Sequence, residues 1–271
     1  MKLTKLNLPN FFIIGANKAG TTSLYYYLMQ HPDIFMSAAK EPMFFLTLDP
    51  VPVKKKGADI DLYYTLKEYM GLFKQAKEKA IGEASTAYLS NPTSILWISK
   101  IIPEARLIAI LRNPIERAMS DYLYHQKAGI ETRTFETAIA EMLDVRRGMA
   151  QTENAEKKNV IPGNPMVGRR YLNLGLYGHH VSNVKKYFPD DQLLVIDFRE
   201  LNNDSAAVVR RICRFLGVRE FIPSNLERQN VSGRNNYQID RVLLDRLKLY
   251  FEEDIKHLQT MVEFDVMNWL K

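Results

Sequence analysis

The chain has 271 residues, with 46% hydrophobic and 25% charged side chains, proportions of an ordinary globular protein that exclude disorder as its main state. Its 37 Lys and Arg against 31 Asp and Glu leave a formal net charge of +6, which favours anionic partners. The basic residues are scattered rather than gathered in a stripe, so nucleic acid is not the expected partner. The one cysteine, Cys213, excludes an internal disulfide and a cysteine-based zinc site. No run approaches the ~18 apolar residues of a membrane helix, and residues 1–10 lack the apolar core of a secretory signal. A cytoplasmic protein in a reducing compartment is expected.

In chain order, residues 10–14 (NFFII), bounded by Pro9 and Gly15, predict a buried strand. A helix is predicted from near Thr21 to Gln30, stopped by His31-Pro32. Residues 49–60 read as a Pro/Lys/Gly loop, Ala80–Glu83 as a second strand and Leu107–Leu111 as a third. Asn113-Pro114 opens a helix running to about Gln126, with proline in its first turn. Residues 135–147 are helical in pattern, and the polar stretch 148–170 reads as a lid or acceptor loop. A helix over 178–187 ends before Pro189, and Leu193–Ile196 predicts a fourth strand. Asn203, Asp204 and Ser205 are cap candidates for a helix over 205–216 that stops at Gly217. The last helix spans about 238–262, with Leu243, Leu247, Phe251, Ile255, Leu258 and Val262 as its core-facing stripe. Strands alternating with helices predict an α/β fold: a single P-loop-like domain over 1–271, its central, mainly parallel sheet flanked by helices.

Two segments carry the chemistry. Gly15 through Ser23 (GANKAGTTS) lies between a predicted strand and a predicted helix, where unpaired backbone N–H groups and the helix dipole converge on one anion site. Gly20 permits close approach, Lys18 adds charge, and Thr21, Thr22 and Ser23 add hydroxyls. Gly15 and Gly20 have the spacing of the nucleotide P-loop, but Thr21 stands where that motif needs lysine. The strand Leu107–Leu111 runs into Arg112 rather than a metal-holding aspartate, so the loop reads as built for an anionic nucleotide without a metal. The second segment is Arg112 through Ser120, an arginine fork and a hydroxyl suited to a phosphate dianion. Arg117 reads as a salt-bridge partner on the helix surface. A ligand with two anionic ends fits the pair. A P-loop small-molecule kinase and a non-catalytic nucleotide-binding protein remain open alternatives.

Taken together, these segments resemble the sulfotransferases that use 3′-phosphoadenosine 5′-phosphosulfate (PAPS), in particular the heparan-sulfate type and its soluble bacterial relatives. The resemblance rests on Lys18-Ala19-Gly20-Thr21-Thr22-Ser23-Leu24, His31-Pro32, Lys40-Glu41-Pro42-Met43-Phe44-Phe45, Arg112 through Ser120, Gly175-Leu176-Tyr177 and Phe215-Leu216-Gly217. It implies that residues 18–23 hold the 5′-phosphosulfate and that Arg112 and Ser120 hold the 3′-phosphate. Ser232, Gly233 and Arg234 match the late loop that closes over that phosphate. Lys18 would stabilise the leaving phosphate and Glu41 would serve as general base, with His125 as the alternative base or an acceptor-pocket residue. The product would be 3′-phosphoadenosine 5′-phosphate (PAP), with no metal required. Ala84 replaces a lysine common in glycan-acting members, and Ser232 replaces the first lysine of the late loop. Phe44 and Phe45, beside Glu41, are expected to wall an acceptor pocket. The acceptor is a small-molecule, lipid-like or glycan hydroxyl or amine.

Overall fold

The structure is a computed structural model and describes residues 8–48, 65–149, 170–229 and 238–271. The predicted 49–60 loop, the interior of the 148–170 stretch and the Ser232–Arg234 loop lie outside those residues. Two compact units are formed: Met1–Leu111 with His180–Asn230, and Arg112–His179 with Val231–Lys271.

The first unit holds a five-stranded sheet of β1 (Phe11–Gly15), β2 (Ile34–Met36), β3 (Ala80–Ala84), β4 (Arg106–Leu111) and β5 (Leu193–Asp197). Its order is β2-β3-β1-β4-β5 and every pairing is parallel. Along the chain the helices are α1 (Thr21–Leu28), α2 (Phe44–Thr47), α3 (Leu66–Gly71), α4 (Pro92–Ile101), α5 (Pro114–Lys127), α6 (Phe135–Met149), α7 (Arg170–Asn173), α8 (Tyr177–Lys185), α9 (Phe198–Asn203), α10 (Ser205–Leu216) and α11 (Arg241–Gln259). This is the expected α/β, P-loop-like architecture. The central strand β1 is buried along its whole length, as its unbroken FFII run requires of a strand covered on both faces. From β1 the chain builds one side of the sheet through β2 and β3, then crosses to β4 and β5. The carboxyl end of β1 is therefore the point where strand order reverses, the place where open α/β sheets bind ligands.

The helix ends follow their capping residues. Asp204 accepts from the Ala207 N–H at the start of α10, and Gly217 ends it in the left-handed conformation. The last helix starts later than its periodicity suggests, because Asp240 caps it by accepting from the Val242 and Leu243 N–H groups. Leu243, Leu247, Phe251, Ile255 and Leu258 are buried as predicted, whereas Val262 lies past the helix end. Tyr25 and Tyr27 face the core and Tyr26 faces out. Among the described residues no helix is long and apolar enough to cross a membrane.

Candidate active site

The loop from β1 to α1 is tied at both ends. The Ala16 N–H donates to the Ile110 carbonyl at the end of β4 (2.8 Å), and the Leu24 N–H closes the first helical turn on the Gly20 carbonyl (3.1 Å). Between them, Lys18 (φ 66°) and Gly20 (φ 83°) turn the backbone through the left-handed region. Gly20 stands at the N-cap position without a side-chain cap, so the first amides of α1 keep their donor capacity at the loop. A Cβ at Gly20 would meet Leu201 Cδ2 and Phe198 Cε2, each at 3.0 Å. Ala19, Thr21 and Ser23 are buried and Thr22 is half-buried. The Ser23 hydroxyl accepts from the Gln229 N–H (2.9 Å) and so anchors the chain just before the segment that contains Ser232, Gly233 and Arg234. His31 has a structural role: its Nδ1 accepts from the Asp33 N–H (2.9 Å) and its Nε2 donates to the Arg219 carbonyl (2.9 Å).

Glu41 lies in a strap laid along the end of β3. Its N–H donates to the Ala84 carbonyl (2.9 Å), and both Glu41 (φ 61°) and Met43 (φ 54°) are left-handed. Three donors hold its half-buried carboxylate: Lys40 Nζ to Oε1 (2.8 Å), Thr86 Oγ1 to Oε1 (3.0 Å) and the Thr86 N–H to Oε2 (2.8 Å). The ion pair with Lys40 thus coexists with a fixed orientation set by Thr86, a residue the sequence motifs leave unassigned. Phe44 and Phe45 do not wall a pocket. They are buried at 2% and 0% exposure, with Phe44 stacked on Tyr69 at 4.4 Å and Phe45 edge-on to Phe12 and Tyr88 at 5.8 Å. Four-residue α2 turns both rings inward, where burial of each contributes about 1.5–3 kcal/mol. Behind the strap, Glu83 on β3 is wholly buried, and the loss of hydration pushes its carboxyl up to about 8 despite the nearby Tyr88, Tyr69 and Ser85 hydroxyls. A carboxyl inside the otherwise apolar AIGEA run is the sequence signal for this site.

In the second unit, Asn113 explains the asparagine and proline that follow Arg112. Its Oδ1 accepts from the Ile115 (2.9 Å) and Glu116 (3.3 Å) N–H groups, and Pro114 occupies the first turn of α5. Arg112 pairs with Glu116 through Nε (3.1 Å), and Ser120 is buried at 6% exposure. The Tyr177 hydroxyl of the Gly175-Leu176-Tyr177 element faces the Arg112 backbone, and burial pushes it up to about 12. Arg117 is not on the surface. It is fully buried, pairs with equally buried Asp121 (3.3 Å) and donates through Nη2 to the Tyr171 carbonyl. The same network holds His125, whose Nδ1 lies 2.7 Å from the Asp121 carbonyl. That contact requires the proton on Nδ1 and leaves Nε2 as the acceptor nitrogen.

Of the sequence-derived candidates, Lys18 to Ser23 and Glu41 belong to the first unit, and Arg112, Ser120 and His125 to the second. Comparison with known proteins bears on what these elements serve. A sulfotransferase from Alicyclobacillus acidocaldarius superposes with a TM-score of 0.80 at 30% identity, covering 97% of this chain and 99% of that one. The human bifunctional heparan sulfate N-deacetylase/N-sulfotransferase 3 is 28% identical over 78% of this chain but only 22% of its own length. Human carbohydrate sulfotransferase 15 is 28% identical over 78% of this chain and 44% of its own. The chain thus spans less than half of these two curated relatives. The family model described as "Sulfotransferase domain" matches residues 8–233, from the entry into β1 to the segment after Gln229. With the parallel sheet and the β1–α1 loop at its reversal point, that match shows that the chain belongs to the sulfotransferase domain family, a family of transferases.

Proposed function

We propose that residues 1–271 act as one sulfotransferase domain, moving a sulfuryl group from PAPS to a hydroxyl or amine of an acceptor and releasing PAP. The observation that carries this reading is the β1–α1 loop: a left-handed Lys18, a left-handed Gly20 packed closely against Leu201 and Phe198, and the open amides of α1 at the carboxyl end of the sheet. Those features suit a phosphosulfate, which supplies a sulfuryl group already joined to a phosphate leaving group. Lys18 holds the charge that builds up on the leaving phosphate, and residues 19–23 bind it through amides and hydroxyls. Arg112 and Ser120 hold the 3′-phosphate, and Ser232 to Arg234 close over it. Glu41 takes the proton of the acceptor as the new bond to sulfur forms, with its carboxylate kept in one orientation by Thr86. The Nε2 of His125 is the alternative base. Catalysis is then positioning and charge stabilisation by these side chains, with no covalent enzyme intermediate, as in phosphoryl transfer. A cytoplasmic location belongs to the same reading.

Two observations bear on the acceptor class. The rings of Phe44 and Phe45 are in the core, which removes the apolar wall that favoured a lipid-like alcohol. The relatives named for heparan sulfate and carbohydrate favour a glycan, although this chain has Ala84 where the resemblance implies a lysine for glycan-acting members.

The test is calorimetric titration with PAP beside ADP and ATP, with and without magnesium. Magnesium-independent binding that requires the 3′-phosphate is expected. Lys18→Ala and Arg112→Ala should each weaken it by about 1.5–3 kcal/mol, the loss of one charge-assisted contact. Preference for ATP with magnesium would overturn the assignment in favour of a kinase.

A further inference from the structure

The Glu83 carboxyl lies at the centre of a hydroxyl cluster that the reaction scheme leaves unused. It stands on β3 opposite Phe12 of β1, at 0% exposure, and makes no ion pair among the described residues. The titratable groups facing it are Tyr69 from α3, Tyr88 from the segment after β3, and Glu41. Two hydroxyls of this cluster accept backbone N–H groups from the strap: Ser85 Oγ from Met43 (3.1 Å) and Tyr88 Oη from Phe45 (3.3 Å). A hydroxyl whose oxygen is accepting still has one proton to place. For Ser85 the partner is Glu83 Oε2 at 3.5 Å, and the Tyr88 hydroxyl also acts on the Glu83 carboxyl.

We propose that Glu83 is a positioning residue: its carboxyl accepts hydrogen bonds from the Ser85 and Tyr88 hydroxyls, so that both oxygens turn to the amides of Met43 and Phe45 and fix the strap that carries Glu41. The functional value of that strap rests on the reading of Glu41 as the base. The shape of the strap supports the need for such ties. Glu41 and Met43 hold left-handed backbone conformations that side-chain-bearing residues rarely adopt, and these persist only when the surroundings over-determine them. Because Glu83 is buried and pairs with no cation among the described residues, it serves as a neutral acid, and glutamine, with a carbonyl oxygen in the same place, should replace it.

The experiment is amide hydrogen exchange on the full chain, comparing wild type with Glu83→Gln and Glu83→Leu. In Glu83→Leu the Met43 and Phe45 amides should exchange about tenfold faster, the factor that one net hydrogen bond is worth. Glu83→Gln should restore near-wild-type protection, and amides of β1 should not change in either variant. Unchanged exchange at Met43 and Phe45 in a folded Glu83→Leu protein would overturn the proposal, as would equal loosening in Glu83→Gln. Should Glu83→Leu fail to fold, Ser85→Ala and Tyr88→Phe carry the same test: the first should loosen Met43 alone and the second Phe45 alone, and loosening of neither refutes the tie. Wild-type turnover in Glu41→Gln would end the base reading and leave the exchange result standing, so the two fail separately.

Discussion

Replacing Glu83 by glutamine should change how stability depends on pH. Burial raises the carboxyl from an ordinary 4.5 to about 8 in the folded protein. Between those values the folded chain keeps a proton that the unfolded chain has released, so stability falls as pH rises. The contribution is complete below about pH 4.5, declines through the window up to about pH 8, and is constant above it. At ~1.4 kcal/mol per pH unit, the decline reaches about 3 kcal/mol at neutral pH and ~5 kcal/mol once the folded carboxyl has ionised. Any water admitted to the site lowers both figures, so they are ceilings. Glutamine has no proton to lose. The unfolding free energy of Glu83→Gln minus that of wild type should therefore climb by that amount as pH is raised, while other titrating groups cancel in the difference. Urea unfolding of both proteins at about pH 5, 7 and 9 measures it. Curves that stay parallel across that range would show that Glu83 ionises normally, and the account of its burial would be wrong.

Glu41→Gln should bind PAP like wild type and lose roughly 10²–10⁴-fold in turnover, read as PAP release from PAPS with a glycan acceptor. Gly20→Ala should lower stability by about 1–2 kcal/mol from its left-handed φ of 83° alone, with contact against Leu201 and Phe198 adding to it, as a fall in Tm. Arg117→Met should cost about 3–5 kcal/mol, because it leaves Asp121 buried without its cation. Melting curves no different from wild type would place Arg117 on the surface after all.

What was legible in the sequence was legible for local reasons. Strands β1, β4 and β5 are each built on an unbroken apolar run, whereas Gly82 interrupts β3. That glycine lies under the Phe11 ring, where a Cβ would come within 2.1 Å, so the interruption is itself a packing requirement. Three-residue β2 is too short for periodicity to register. Helix α4 escaped although Asn91-Pro92 is the same cap-and-proline start that revealed α5.

The sequence by itself determined the phosphate loop, the arginine–serine segment and the alternation that forces a parallel sheet, because each depends on residues within a few positions of one another. Only the tertiary structure decided which of the chemistry-bearing side chains are buried. The Arg117 guanidinium is held by the carbonyl of Tyr171, 54 residues away, and the Glu41 carboxylate by Thr86, 45 residues away. Phe44 and Phe45 turn inward because Tyr69, Tyr88 and Phe12 meet them there. Burial and its cost belong to partners brought together by the fold, and no spacing along the chain encodes them.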